Sequence, residues 1–192
     1  EGNFAYGQDI MERFLQNMQT GAGDQAALYS FADYVNREMH FTSDTDALSD
    51  AVYNMEMGDM TALYDALAFA LSEIVVQDGA KCVIAFTDGI ENYSTSSKEY
   101  VIQKANENHV PIYLIGIGTN VDDAQLRDIA ESTGGFYANI ENIGYMEELY
   151  DQVYHDQKSM YVVQYHTEEE KPTDIGRSVY ISYQDQTRAI RL

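Results

Sequence analysis

Three features of the sequence predict an α/β protein: a doubly wound, mostly parallel sheet with helices on both faces, plus a C-terminal β-hairpin. Helix-period apolar stripes alternate with short apolar runs along most of the chain. Two of those runs, residues 80–86 and 110–117, are dominated by apolar residues, the pattern of strands covered on both faces. The C-terminal stretch switches to two-residue alternation, which reads as antiparallel pairing. With 192 residues, and about 150 residues as the usual size of a domain, one domain with a small appendage is expected. We place the α/β domain at 1–158 and the hairpin extension at 159–192.

Each element has its own signal. Ile10, Met11, Phe14, Leu15 and Met18 recur at helical spacing, and Gly21 and Gly23 end the run. Residues 26–31 and 35–41 read as strands, and Asp44 and Asp46 after Thr42-Ser43 as a helix start. Leu63, Leu67, Ala70, Leu71 and Ile74 stripe an amphipathic helix that stops near Asp78-Gly79. Strand 80–86 then runs into Thr87-Asp88-Gly89. Ser96 and Glu99 form a capping box for a helix through Val101, Ile102 and Ala105. Strand 110–117, helix 122–132, a small strand at 136–138 and a helix marked by Met146, Leu149, Tyr150 and Val153 follow. Tyr161, Val163 and Tyr165 alternate, as do Val179, Ile181 and Tyr183 after the loop 168–176, and 187–192 extends the pattern.

Composition excludes several functions. Lys+Arg 11 against Asp+Glu 32 gives a formal charge of −21, which repels phosphate backbones and anionic headgroups. Nucleic acid is therefore not an expected partner, and no apolar run reaches the ~20 residues of a membrane-spanning helix. The single cysteine, Cys82, lies in an apolar run and reads as an inert buried thiol, with no disulfide or cysteine cage. The four histidines are scattered, and no Gly-x-Ser-x-Gly elbow or other base and nucleophile set is present, so no enzymatic activity is expected. Gly21-Ala22-Gly23 has dinucleotide-fingerprint letters but follows a helix and precedes a strand, the reverse of the required context.

Ligands of open α/β sheets sit beyond the carboxyl ends of the strands. Two segments deliver oxygen donors to such an end: Asp88, leaving a buried strand, and Thr61, in the loop before the long helix. Asp88-Gly89 also suits a hairpin turn, but the polar run Glu91-Asn92-Tyr93-Ser94 offers no partner strand. Thr61 equally suits a helix N-cap, a role compatible with holding a metal.

The blocks 59–67, 83–89, 110–118, 126–130 and 133–137, in that order and spacing, resemble the von Willebrand factor type A family over residues 1–158. The resemblance implies a metal-ion-dependent adhesion site, built from an Asp-x-Ser-x-Ser motif after the first strand, a Thr and an Asp. Thr61 matches the Thr and Asp88 the Asp, with Asp59 and Glu91 as an acidic ligand rim. It implies Mg²⁺ (or Ca²⁺ or Mn²⁺) whose open position accepts a carboxylate from a protein ligand, in an extracellular or cell-surface setting. No Asp-x-Ser-x-Ser occurs in these residues, and Gly2 leads directly into the first helix. The central first strand is thus expected to come from upstream residues, another chain or the C-terminal region, and cation binding by this chain alone to be weak or absent. The alternative function is a structural or assembly module with a vestigial metal site and contacts through the hairpin.

Overall fold

The computed structural model describes residues 2–140, 151–153 and 155, and the backbone of 178–183 and 186–191. Residues 1–160 and 161–192 form two separate compact units. The first contains, in chain order, α1 (Gly2–Gln16), β1 (Ala26–Phe31), β2 (Val35–Thr42), α2 (Thr45–Asn54), α3 (Leu63–Ile74), β3 (Val83–Thr87), α4 (Lys98–Glu107), β4 (Ile112–Ile117), α5 (Asp123–Ser132) and β5 (Tyr137–Ile140). In the second, β6 (Ser178–Tyr183) pairs antiparallel with β7 (Gln186–Arg191).

Strands β3, β4 and β5 form a parallel sheet with β4 in the centre. Every residue of β4 is buried, as its uninterrupted apolar sequence requires. Alternation divides its neighbours between two layers. Val83, Ile112 and Leu114 face Leu63, Leu67 and Leu71 of α3, with Val101 of α4 and Ile129 of α5. Ile84, Phe86, Tyr113 and Ile115 face Ile10 and Phe14 of α1. The close approach of Gly135 to this sheet excludes any side chain, since a Cβ there would lie 2.1 Å from the Ile112 carbonyl oxygen. Cys82 is half-buried against the α1 layer. Desolvation, with Asp24 adding a smaller push, raises its thiol to about 12, so it stays protonated and unreactive at neutral pH.

Strands β1 and β2 form a separate antiparallel pair. Alternate β1 residues again divide: Phe31 packs into the α3 layer, and Ala26 and Leu28 pack with Leu15, Leu48 and Val52 of α1 and α2. Both α1 and α3 therefore reach across from β1 to β3, one on each face. The two strands are not hydrogen-bonded to each other.

Boundaries move by a few residues for local reasons. Ser97, not Ser96, caps α4 through a bond from Tyr100 N at 3.2 Å, while the Ser96 amide is given to Asp65. Strands begin at Val83 and Ile112, later than their apolar runs, and β5 ends later, at Ile140. Asp44 and Asp122 cap α2 and α5. The strand expected at 161–165 and most of the helix expected from Met146 lie outside the described residues. The described C-terminal hairpin pairs 178–183 with 186–191.

Candidate functional site

Strands β1 and β3 deliver their carboxyl ends to the same place. The amide of Ala62, at the start of α3, donates to the carbonyl of Ala32, just past β1 (2.9 Å). The residue before it, Thr61, meets the loop that leaves β3. Its amide donates to Asn92 Oδ1 at 3.0 Å, and the Asn92 amide returns a bond to the Thr61 carbonyl at 3.1 Å. A Cβ on Gly89 would fall 2.7 Å from Thr61 Oγ1. The polypeptide just after Asp88 is thus folded onto Thr61, although 27 residues separate Thr61 from Asp88, 88 less 61.

The Tyr64 and Asp65 amides in the first turn of α3 are satisfied by the β3 loop rather than by Thr61. Ala62 occupies the N-cap position and has no capping side chain. The Glu91 carboxylate accepts from Tyr64 N (3.1 Å), and also from Tyr93 N, Ser94 N and Ser94 Oγ (3.0, 2.8 and 2.8 Å). Ser94 Oγ in turn accepts from Asp65 N at 3.1 Å. The Asp65 carboxylate reciprocates, taking the amides of Thr95 and Ser96 at 2.9 and 2.8 Å. Partial burial pushes the Asp65 carboxyl up, but the bonds from Ser96 and Thr95 outweigh it and hold the group below its ordinary range. A charged acceptor at a helix N-terminus also gains from the helix dipole.

This arrangement leaves two oxygen donors free. Among the described residues, neither the Thr61 hydroxyl nor the exposed Asp88 carboxylate has a hydrogen-bond or ion-pair partner. Asp59 is also exposed, two residues before Thr61, whereas Glu91 is turned into the loop as a scaffold. One hydroxyl and one carboxylate are the right donor chemistry for a hard cation, which takes about six oxygens. Among the described residues no three His, Cys, Asp or Glu side chains converge to complete such a set. The residues present fit a cation in kind and fall short in number.

A second polar cluster closes the neighbouring strand ends. The Tyr137 hydroxyl donates to Asp123 Oδ1, and Asn139 Nδ2 bridges the same oxygen and the Gly118 carbonyl at 3.0 and 3.1 Å. Burial and the Asp123 carboxylate push the Tyr137 phenol up, and the bonds from Tyr137 and Asn139 hold Asp123 down. Gly116 makes room for this ring, because a Cβ there would sit 2.6 Å from the Tyr137 hydroxyl.

The von Willebrand factor type A domain model matches residues 1–152. The chain belongs to the von Willebrand factor type A family. Domains of this family are in general protein-interaction modules and often bind a divalent metal. An uncharacterized protein of Borreliella burgdorferi is 27% identical over 153 residues, covering 76% of this chain and 41% of that protein. The chain thus spans less than half of that relative's length. Among solved structures, the conserved hypothetical protein BatB from Bacteroides thetaiotaomicron superposes with a TM-score of 0.68 at 15% identity, over 81% of this chain and 89% of the other. Proximal thread matrix protein 1 of the mussel byssus, in a form with a zinc-occupied MIDAS motif, gives 0.68 at 24% identity, over 79% of this chain and 40% of that one. These structures share the fold.

Proposed function

We propose that residues 1–158 act as a non-catalytic, adhesion-type protein-binding domain, with 159–192 as a C-terminal extension, and that the ligand docks at the rim formed by Thr61 and Asp88. The observation that carries this reading is the pair of unpartnered oxygens on two loops that hydrogen-bond to each other. Scaffolding that satisfies the Ala62, Tyr64 and Asp65 amides yet leaves those two groups free is the arrangement a ligand site needs.

A divalent cation suits them, Mg²⁺ first, with Ca²⁺ or Mn²⁺ as substitutes. Thr61 would give its hydroxyl and Asp88 its carboxylate, directly or through water. The remaining positions would go to water, to a carboxylate of the protein ligand, and to oxygens on a strand supplied by residues preceding Gly2 or by another chain. Asp59 adds negative field at the exposed rim, while Glu91 shapes it from beneath. Without the further oxygens the cation binds weakly. An extracellular or cell-surface setting, as the family resemblance implies, suits such a module. The charge of −21 disfavours nucleic acid, and among the described residues no helix is long and apolar enough to cross a membrane.

One observation favours the second reading, an assembly module with a vestigial site and contacts through the C-terminal hairpin: no third acidic, His or Cys ligand converges on the pair among the described residues. Calorimetric titration with Mg²⁺ and Ca²⁺ separates the two. The binding reading predicts a saturable heat that disappears in Asp88→Ala. No saturable heat, or the same heat in Asp88→Ala, favours the assembly module.

A further inference from the structure

We propose that the rim around Thr61 and Asp88 receives a basic, apolar segment of another protein, one that presents aliphatic side chains interspersed with Lys or Arg. The inference rests on the reading that a protein ligand docks at this rim, and it names that ligand's chemistry. It does not depend on a bound cation.

Three loops are knitted together at the rim. The tight turn after β1 closes with a bond from the Ala32 amide to the Tyr34 carbonyl at 3.2 Å. The loop before α3 crosses this turn so closely that a Cβ on Gly58 would lie 2.3 Å from the Ala32 Cβ. On its other side the same loop holds the chain that leaves β3, through the paired bonds of Thr61 and Asn92 and the contact with Gly89.

These loops carry more than half of the large apolar side chains exposed among the described residues. Nine such residues are exposed, and five of them are here: Tyr34, Met57, Met60, Ile90 and Tyr93. Each leaves between 43% and 69% of its surface open. Chain connectivity places them on the knitted segments: Met57 precedes Gly58, Met60 precedes Thr61, Ile90 follows Gly89, and Tyr93 follows Asn92. One exposed apolar residue is ordinary, but several gathered at one end of a domain mark a contact surface. A neighbouring strand end supplies the contrast. Past β4, Thr119 and Asn120 are exposed, while Val121 packs against the core. A loop at a strand end in this molecule therefore has no general need to expose apolar groups.

The charge of the same loops selects the partner. Asp33, Glu56, Asp59 and Asp88 are exposed, and among the described residues none has a hydrogen-bond or ion-pair partner. Segments 32–34, 55–61 and 88–94 contain no Lys, Arg or His. A wholly apolar partner would cover these carboxylates without a counter-charge, which is costly. An acidic partner would add like-charge repulsion. Lys or Arg beside aliphatic anchors answers both, and the acidic field speeds the encounter. Met and Tyr suit the apolar half of the contact, since Met adapts to the shape it meets and Tyr offers a rigid face with a polar tip.

The test titrates the full chain, in EDTA and again in Mg²⁺, with a short synthetic peptide of Leu and Arg spaced by Ser. One control peptide keeps Arg and replaces Leu by Ser; a second keeps Leu and replaces Arg by Glu. Amide resonances of isotope-labelled protein report where each peptide sits. We expect saturable, one-to-one binding of the Leu–Arg peptide in both buffers, with shifts concentrated in residues 33–34, 56–61 and 88–93. Ile90→Ser and Glu56→Lys, both at exposed positions, should each weaken it at least about fivefold while the β4 resonances stay in place. No binding, equal binding of the Arg–Ser control, shifts spread over the acidic surface, or a chain already self-associated through these loops would each overturn the proposal. Binding of the Leu–Glu peptide in Mg²⁺ alone, with none of the Leu–Arg peptide, would overturn it and leave the cation reading intact. Saturable binding of the Leu–Arg peptide confined to the C-terminal hairpin would overturn both.

Discussion

The Thr61 hydroxyl lies against Gly89: a Cβ built on Gly89 would come within 2.7 Å of Thr61 Oγ1. This contact ties the two halves of the rim together, because Gly89 immediately follows Asp88 and Thr61 immediately precedes the α3 N-cap. In Gly89→Ala the part free to give way is the threonine side chain, which turns its hydroxyl out of the site. We predict that stability changes by less than about 1 kcal/mol, whereas Mg²⁺ affinity falls to near that of Thr61→Val. Denaturant titration and calorimetry on the same sample check both halves. An unaltered affinity would remove Thr61 from the site.

Glu91 is predicted to matter more for folding than for ligand contact. Its carboxylate collects four donors from Tyr64, Tyr93 and Ser94. Removing a charged acceptor that serves half-buried amides costs about 2 kcal/mol, so Glu91→Ala should lower the urea midpoint clearly, and Glu91→Gln by less. A variant as stable as the parent would mean that α3 is capped some other way.

Acid should uncouple the loop that Asp65 holds. Its folded carboxyl lies below the ordinary value of 3.8, so the contribution is complete above that value and fades as pH falls through the lower, folded one. Protonation of the other carboxylates meanwhile relieves the repulsion of a chain carrying −21, so total stability is a poor readout. The informative quantity is the difference in Tm between the parent and Asp65→Asn. It should be constant above about pH 5 and shrink below about pH 4. A difference that grows on acidification would reverse the assignment.

Gly135 tests the packing of the parallel sheet. A methyl group there meets the Ile112 carbonyl at 2.1 Å, and backbone can yield only by moving β4 or the end of α5. Gly135→Ala is expected to cost about 2–3 kcal/mol, in the range of overpacked cores, read as a shift in denaturation midpoint. A shift under about 0.5 kcal/mol, the scale of neutral surface changes, would show that the approach is looser.

What the sequence revealed and concealed follows physical lines. Elements whose apolar spacing is dictated by burial on known faces were legible: α3 from Leu63, Leu67 and Leu71, and β4 from its unbroken apolar run. So was the pairing of loops at Thr61 and Asp88, because strand ends and helix starts carry distinctive polar residues. The supporting loop was not. Asn92 and Ser94 read only as part of a polar run and Glu91 as a rim acid, yet all three bond the start of α3 or the residue before it. Their partners lie about 30 residues away in the chain, for example |i−j| of 31 for Thr61 and Asn92, and no periodicity records such pairs. The Tyr137–Asp123 bond was hidden for the same reason, since a strand tyrosine reads only as core.

The central claim is that a cation is drawn to Thr61 and Asp88 rather than to the acidic surface at large. Substoichiometric Mn²⁺ added to isotope-labelled protein reports location even when affinity is low, by broadening nearby amide resonances. The account predicts broadening centred on residues 61 and 88–89 that is lost in Asp88→Ala. Broadening spread over the many surface carboxylates, or unchanged by that substitution, would contradict it.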